Sequence, residues 1–131
     1  MPDERAASPR AITRRLLIVD DEQAICRLLE QFFSDRGFSV LTAFSGEEAI
    51  ARLDAGSFDV ILIDILLPGT HGLRVLQHAR PRHPYARIVM ITGLEEEELE
   101  RQARGYGADL FVAKPFDLTD STWACVLSYP N

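Results

Sequence analysis

Three carboxylates, a hydroxyl and an ammonium stand at matching points along this sequence, each just after a short apolar run. Asp20 and Asp21 follow residues 16–19, Asp64 follows 60–63, Thr92 follows 88–91 and Lys114 follows 110–113. Three carboxylates gathered together repel, and desolvation raises their pKa unless a cation compensates. An all-oxygen donor set suits a hard divalent ion. Mg²⁺ is the first choice, because it takes few protein oxygens and keeps several waters. A carboxylate can also attack phosphorus and form an aspartyl phosphate. Such transfer asks mainly for positioning and charge neutralisation. Mg²⁺ and Lys114 would neutralise, and Thr92 would donate a hydrogen bond to a phosphoryl oxygen.

These residues can cooperate only if the elements between them form one sheet. The runs at 16–19, 60–63, 88–91 and 110–112 read as strands buried on both faces, and 38–43 as a looser one. Between them lie helical patterns. Ile25, Leu28, Leu29, Phe32 and Phe33 make one face, closed by Gly37. Ser45 and Glu48 form a capping box ahead of Ala49, Ile50 and Leu53. Leu73, Val75, Leu76 and Ala79 make a third helix, punctuated by Pro81 and Pro84. Residues 95–106 make a fourth and 117–127 a short last one. Five strand–helix repeats predict an α/β fold: a doubly wound, five-stranded parallel sheet with helices on both faces. Sites in such sheets form outside the carboxyl ends of the strands, where all five residues fall.

The strings LLIVDDE, DVILIDILLPGTHG, IVMITG and LFVAKPF resemble the receiver domains of two-component response regulators, the CheY-like superfamily. The resemblance runs from about residue 15 to 118. It implies the flavodoxin-like strand order 2-1-3-4-5, and domain limits of 14–128 between tails at 1–13 and 129–131. Asp64 would be the phosphoacceptor. Asp20 and Asp21 would hold Mg²⁺, Asp21 as the direct ligand, with Asp64 and the Leu66 carbonyl. Lys114 would pair with the phosphoryl group, Thr92 would be the switch hydroxyl and Phe111 the switch aromatic. The Lys114-Pro115 bond would be cis. Leu66 and Leu94 offer no polar group to orient water, which implies slow self-dephosphorylation. A histidine kinase or phosphotransfer protein would supply the phosphoryl group. A downstream protein target or output domain would read the result, from a monomer or homodimer. The domain would act only on itself and so is not expected to be an enzyme with turnover.

Composition agrees with this class. The chain has 131 residues, a hydrophobic fraction of 47% and a net charge of −6. That charge disfavours direct nucleic-acid binding, and no apolar run is long enough to span a membrane. Residues 1–15 do not read as a secretory signal. Cys26 and Cys125 read as free thiols, so a cytoplasmic protein is expected. The three histidines, His71, His78 and His83, read as solvated. Two rival functions are weaker. A phosphatase of similar architecture would need an acid two residues after Asp64, where Leu66 stands. A phosphorylation-independent receiver-like binding module would not need the full acidic set. The segment after Phe116 has no Lys, Arg or Glu, unlike the long charged helix usual in the family. The chain reads either as a stand-alone receiver or as part of a longer regulator.

Overall fold

The computed structural model describes residues 13–69, 71–93 and 95–130. The expected N-terminal tail therefore lies, apart from Thr13, outside the described residues, as do Leu94 and Asn131. Five strands, β1 (Arg15–Val19), β2 (Ser39–Ala43), β3 (Val60–Asp64), β4 (Arg87–Thr92) and β5 (Leu110–Ala113), alternate with five helices. These are α1 (Gln23–Ser34), α2 (Gly46–Ala55), α3 (Gly72–Arg82), α4 (Glu97–Gly105) and α5 (Ala124–Leu127). All strand pairs are parallel, in the order β2-β1-β3-β4-β5. This is the fold class and strand order expected from the sequence.

The continuous apolar runs serve two faces at once, because successive side chains point to opposite sides of a sheet. In β1, Leu17 and Val19 join one core cluster while Leu16 and Ile18 join the other. The first cluster packs under α2, α3 and α4 through Ala49, Leu53, Val75, Leu76, Ala79 and Ala103. The second packs under α1 and the C-terminal segment through Leu29, Phe32, Phe33, Trp123 and Val126.

Helix ends differ from expectation in three places. In α2, Ser45 Oγ accepts from Glu48 N at 3.1 Å as expected, but the Glu48 carboxylate accepts from Phe44 N at 2.8 Å. Helix α3 runs through Pro81 to Arg82. Proline removes one N–H in the last turn, and Arg80 gathers nearby carbonyls, donating to His83, Pro84, Ala86 and Gly107 at 2.7–2.9 Å. Helix α5 is a single turn rather than the span 117–127. Asp117, Thr119, Asp120, Ser121 and Thr122 carry short polar side chains that compete for backbone hydrogen bonds, and Thr122 N bonds to Thr119 Oγ1 at 3.3 Å.

Packing holds that segment in place of helix. Trp123 is 1% exposed, stacks edge-on against Phe33 and Phe116 with centroids 5.4 and 5.3 Å apart, and donates from Nε1 to the Asp117 carbonyl at 2.9 Å. Tyr129, placed in the tail from sequence, lies under the Arg87 guanidinium at 4.3 Å and bonds to the Tyr85 carbonyl. The histidines are not uniformly solvated. His83 is buried and donates from Nε2 to the Leu53 carbonyl at 2.9 Å, and His78 pairs with Asp54 at 2.8 Å. His71 caps α3, accepting from Leu73 N.

Candidate functional site

The sheet brings the carboxyl ends of β1, β3, β4 and β5 to one edge. Asp64 is the last residue of β3 and Thr92 the last of β4. Asp20 and Asp21 follow β1, and Lys114 follows β5. Backbone bonds tie these ends together: Asp20 N to the Ala43 carbonyl, Ile65 N to the Ile91 carbonyl and Lys114 N to the Thr92 carbonyl, at 2.7–3.1 Å. The Lys114-Pro115 bond is cis.

Lys114 is the hub. Its Nζ lies 3.0 Å from Asp20 Oδ2, 3.1 Å from Asp64 Oδ2 and 2.9 Å from Glu22 Oε1. Glu22 was not singled out from the sequence. Its signal is position alone, two residues past Asp20 in the same acidic run. The run does not cap α1 through its side chains. Glu22 is the N-cap but makes no side-chain cap bond, while Asp20 Oδ1 accepts from Glu22 N at 2.9 Å. The carboxylates are turned to the strand ends instead. Asp64 Oδ1 likewise accepts from Leu66 N at 3.1 Å. Beneath Asp20, the buried Cys26 thiol donates to its backbone carbonyl at 3.3 Å, and burial pushes that thiol up to about 12.

Asp20 is fully buried and Asp64 nearly so. Burial raises both carboxyls above the usual range, against hydrogen bonds from Glu22 N and Leu66 N and the Lys114 charge. On Lys114, burial acts to lower the pKa, but the Glu22 and Asp20 carboxylates and the Asp64 charge outweigh it and raise it. The lysine therefore stays charged.

The donor set fits a divalent cation. One oxygen each from Asp20, Asp21 and Asp64 lie within 4.8 Å of one another. Among the described residues, the buried Asp20 Oδ2 has no hydrogen-bond partner, with only the Lys114 ammonium at ion-pair distance, 3.0 Å. A buried carboxylate oxygen without a donor is costly, and a hard cation would satisfy it. Asp21 is exposed, so the third ligand sits on the solvent side where bound waters would remain.

The raised pKa values fix a sign for stability. An acid with a raised folded-state pKa favours folding below the ordinary carboxylate pKa, and that contribution is lost as pH rises through the raised value. At neutral pH the charged pair therefore opposes folding in metal-free protein. Asp20→Asn or Asp64→Asn is expected to raise the metal-free melting point at pH 7 by about 3–5 °C per kcal/mol relieved. The gain should shrink as pH falls toward 4, and Mg²⁺ should stabilise the parent more than either variant. Thermal scans across pH, with chelator and with Mg²⁺, check this. Equal melting points throughout would mean that Lys114 alone relieves the repulsion.

Thr92 is buried, 2% exposed, at the rim of the site. Phe111 is half-buried against the first core cluster, with the Arg104 guanidinium 4.4 Å over its ring. Leu66 is 49% exposed.

Residues 16–123 match the family described as the response regulator receiver domain. The regulatory protein VanR of Enterococcus faecium is 36% identical over 102 residues, which are 78% of this chain and 44% of VanR. The transcriptional regulatory protein ResD of Bacillus subtilis is 35% identical over 102 residues, 78% of this chain and 42% of ResD. The chain thus spans less than half the length of these relatives. A receiver domain protein (CheY-like) from Methanospirillum hungatei superposes with a TM-score of 0.82 at 30% identity, covering 87% of this chain and 91% of that one. A response regulator from Burkholderia pseudomallei, solved with a phosphorylated aspartic acid, calcium ion and citrate, gives 0.78 at 29%, covering 85% and 65%. No helix among the described residues is long and apolar enough to cross a membrane. With residues 16–123 matched by that family and with relatives above 30% identity, the chain belongs to the receiver domains of two-component response regulators.

Proposed function

We propose that Asp64 accepts a phosphoryl group in the presence of Mg²⁺, and that the domain signals through the change this causes. One observation carries the reading: the Asp64 carboxylate lies 3.1 Å from the Lys114 ammonium and, with Asp20 and Asp21, belongs to a group of carboxylate oxygens within 4.8 Å of one another that can hold a cation. In the transfer, an Asp64 oxygen attacks phosphorus and a new P–O bond forms. The bond to the donor breaks, P–N for a phosphohistidine, and the leaving imidazole takes the electron pair and then a proton. Asp20, Asp21, Asp64 and the Leu66 carbonyl would hold Mg²⁺, which when bound neutralises charge on the phosphoryl oxygens. Lys114 releases Glu22 and pairs with a phosphoryl oxygen. Thr92 donates its hydroxyl to another, and Phe111 follows it inward.

A histidine kinase or phosphotransfer protein as donor, and an output domain or protein target as reader, follow from the relatives' character as regulators. A cytoplasmic location suits such a circuit. The domain turns over no separate substrate. The test is incubation with acetyl phosphate and Mg²⁺ followed by intact mass. The expected result is a gain of one phosphoryl group, lost in Asp64→Asn and in chelator. No gain, together with no fluoroberyllate binding, would remove this reading and leave a receiver-shaped binding module.

A further inference from the structure

Away from the carboxyl ends of the strands, a cleft of about 430 Å³ is lined by α2, by Leu41 of β2 and Arg15 of β1, and by Gly56 and Phe58 just after α2. Small-ligand sites run from about 300 to 1,000 Å³. The floor is apolar, made by Leu41, Ala55 and Phe58, and the polar groups are Arg15, Arg52 and Glu48. Arg15 opens β1, so the cleft lies at the opposite end of that strand from Asp20.

The two arginines are held differently. Arg52 donates from Nε to the Thr42 carbonyl at 2.8 Å and faces the Glu48 carboxylate at 3.6 Å. Its head is already engaged. Arg15 lies over the Phe58 ring, 5.0 Å from the centroid. Its backbone N–H bonds to Asp59, but among the described residues its guanidinium has no hydrogen-bond acceptor. Gly56 leaves room for that head, since a Cβ there would stand 3.3 Å from Arg15 Nη1. Phe58 is itself buried, so the stacking surface is fixed. A guanidinium carries five donors in a planar fork that matches a carboxylate. Here the fork is oriented by an aromatic ring and left open toward a cavity.

Charge narrows the ligand. Two arginines and one glutamate leave a single net positive charge in the cleft. A monoanion matches it, whereas a phosphate dianion would face the Glu48 carboxylate. The apolar floor asks for a ligand with an apolar body. We propose that this cleft binds a small organic monocarboxylate, its carboxylate paired with Arg15 and its body against Leu41, Ala55 and Phe58. The site is separate from Asp64 and needs neither metal nor phosphoryl group.

Benzoate is a suitable probe, with benzamide as its neutral isostere and inorganic phosphate as the competing anion. The ¹⁵N-labelled chain, titrated with each, should show saturable shifts with benzoate at the Gly56 and Phe58 amides and at Arg15 Nε. Benzamide and phosphate should bind about tenfold more weakly or worse. Arg15→Met keeps an apolar stem over Phe58 but removes the charge, and should weaken benzoate by a similar factor. Ala51→Leu fills the cleft from an exposed helix position with a good helix former, and should block benzoate with both arginines intact. Both variants should take phosphate from acetyl phosphate as the parent does. Shifts that do not saturate, phosphate binding as tightly as benzoate, or benzoate binding unchanged in both variants would each overturn the proposal.

Discussion

Trp123→Ala is expected to destabilise the domain by about 3–5 kcal/mol, the range for truncating a buried large aromatic. The indole closes the second core cluster between Phe33 and Phe116, and its N–H satisfies the Asp117 carbonyl. Losing it leaves a cavity, an unpaired carbonyl and a C-terminal segment with one turn of helix to hold it. Val126 and Leu127 would then lose their anchor as well. Urea unfolding followed by circular dichroism reads the effect as a fall in midpoint. Trp123→Phe, which keeps an aromatic but drops the N–H, should lose less than half as much. A loss under about 1 kcal/mol for the alanine variant would mean that the segment contributes little to the core.

The second large effect is at Gly72. It opens α3 directly beneath the end of β3, and a Cβ there would stand 2.3 Å from the Asp64 carbonyl oxygen and 2.8 Å from both Ile65 Cα and its oxygen. All three are backbone atoms, so no side chain can swing aside. Gly72→Ala should cost roughly 1–3 kcal/mol from overpacking, towards the upper end because the neighbours are rigid. It should also reduce phosphoryl uptake, because the relief must come from moving the backbone of Asp64. A domain with unchanged stability and unchanged uptake would show that α3 shifts away freely. Gly105, where an added Cβ meets nothing within 4 Å among the described residues, is the matched control.

The sheet was legible because its strands are short, apolar and evenly interrupted. Residues 60–63 can hardly be anything but a strand buried on both faces, and the polar residue after each run marks the edge where a site must form. That is why Asp20, Asp64, Thr92 and Lys114 could be named together without coordinates. Glu22 was not legible as part of the site. Its role depends on α1 starting at Gln23, which leaves Glu22 outside the helix, and on Lys114 reaching across from β5. His83 misled because a Pro-rich stretch usually marks surface, whereas here the chain folds back so that the ring meets the Leu53 carbonyl. The last helix was overextended because Trp123, Val126 and Leu127 keep helical spacing while the five polar residues between 117 and 122 favour turns. Apolar spacing reports which side chains face the core, and here Trp123 packs between Phe33 and Phe116 and Val126 joins the same cluster with almost no helix.

The sharing of one lysine among three carboxylates bears on how quiet this domain is at rest. To meet any other partner, Lys114 must give up at least one of its contacts to Asp20, Glu22 and Asp64, all within 3.1 Å, and the exposed Glu22 is the most readily displaced. An incoming anion that offers the ammonium an equivalent partner removes the obstacle. On the proposed phosphoacceptor reading, the ammonium stays neutralised by carboxylates until an arriving negative charge takes the place of one of them.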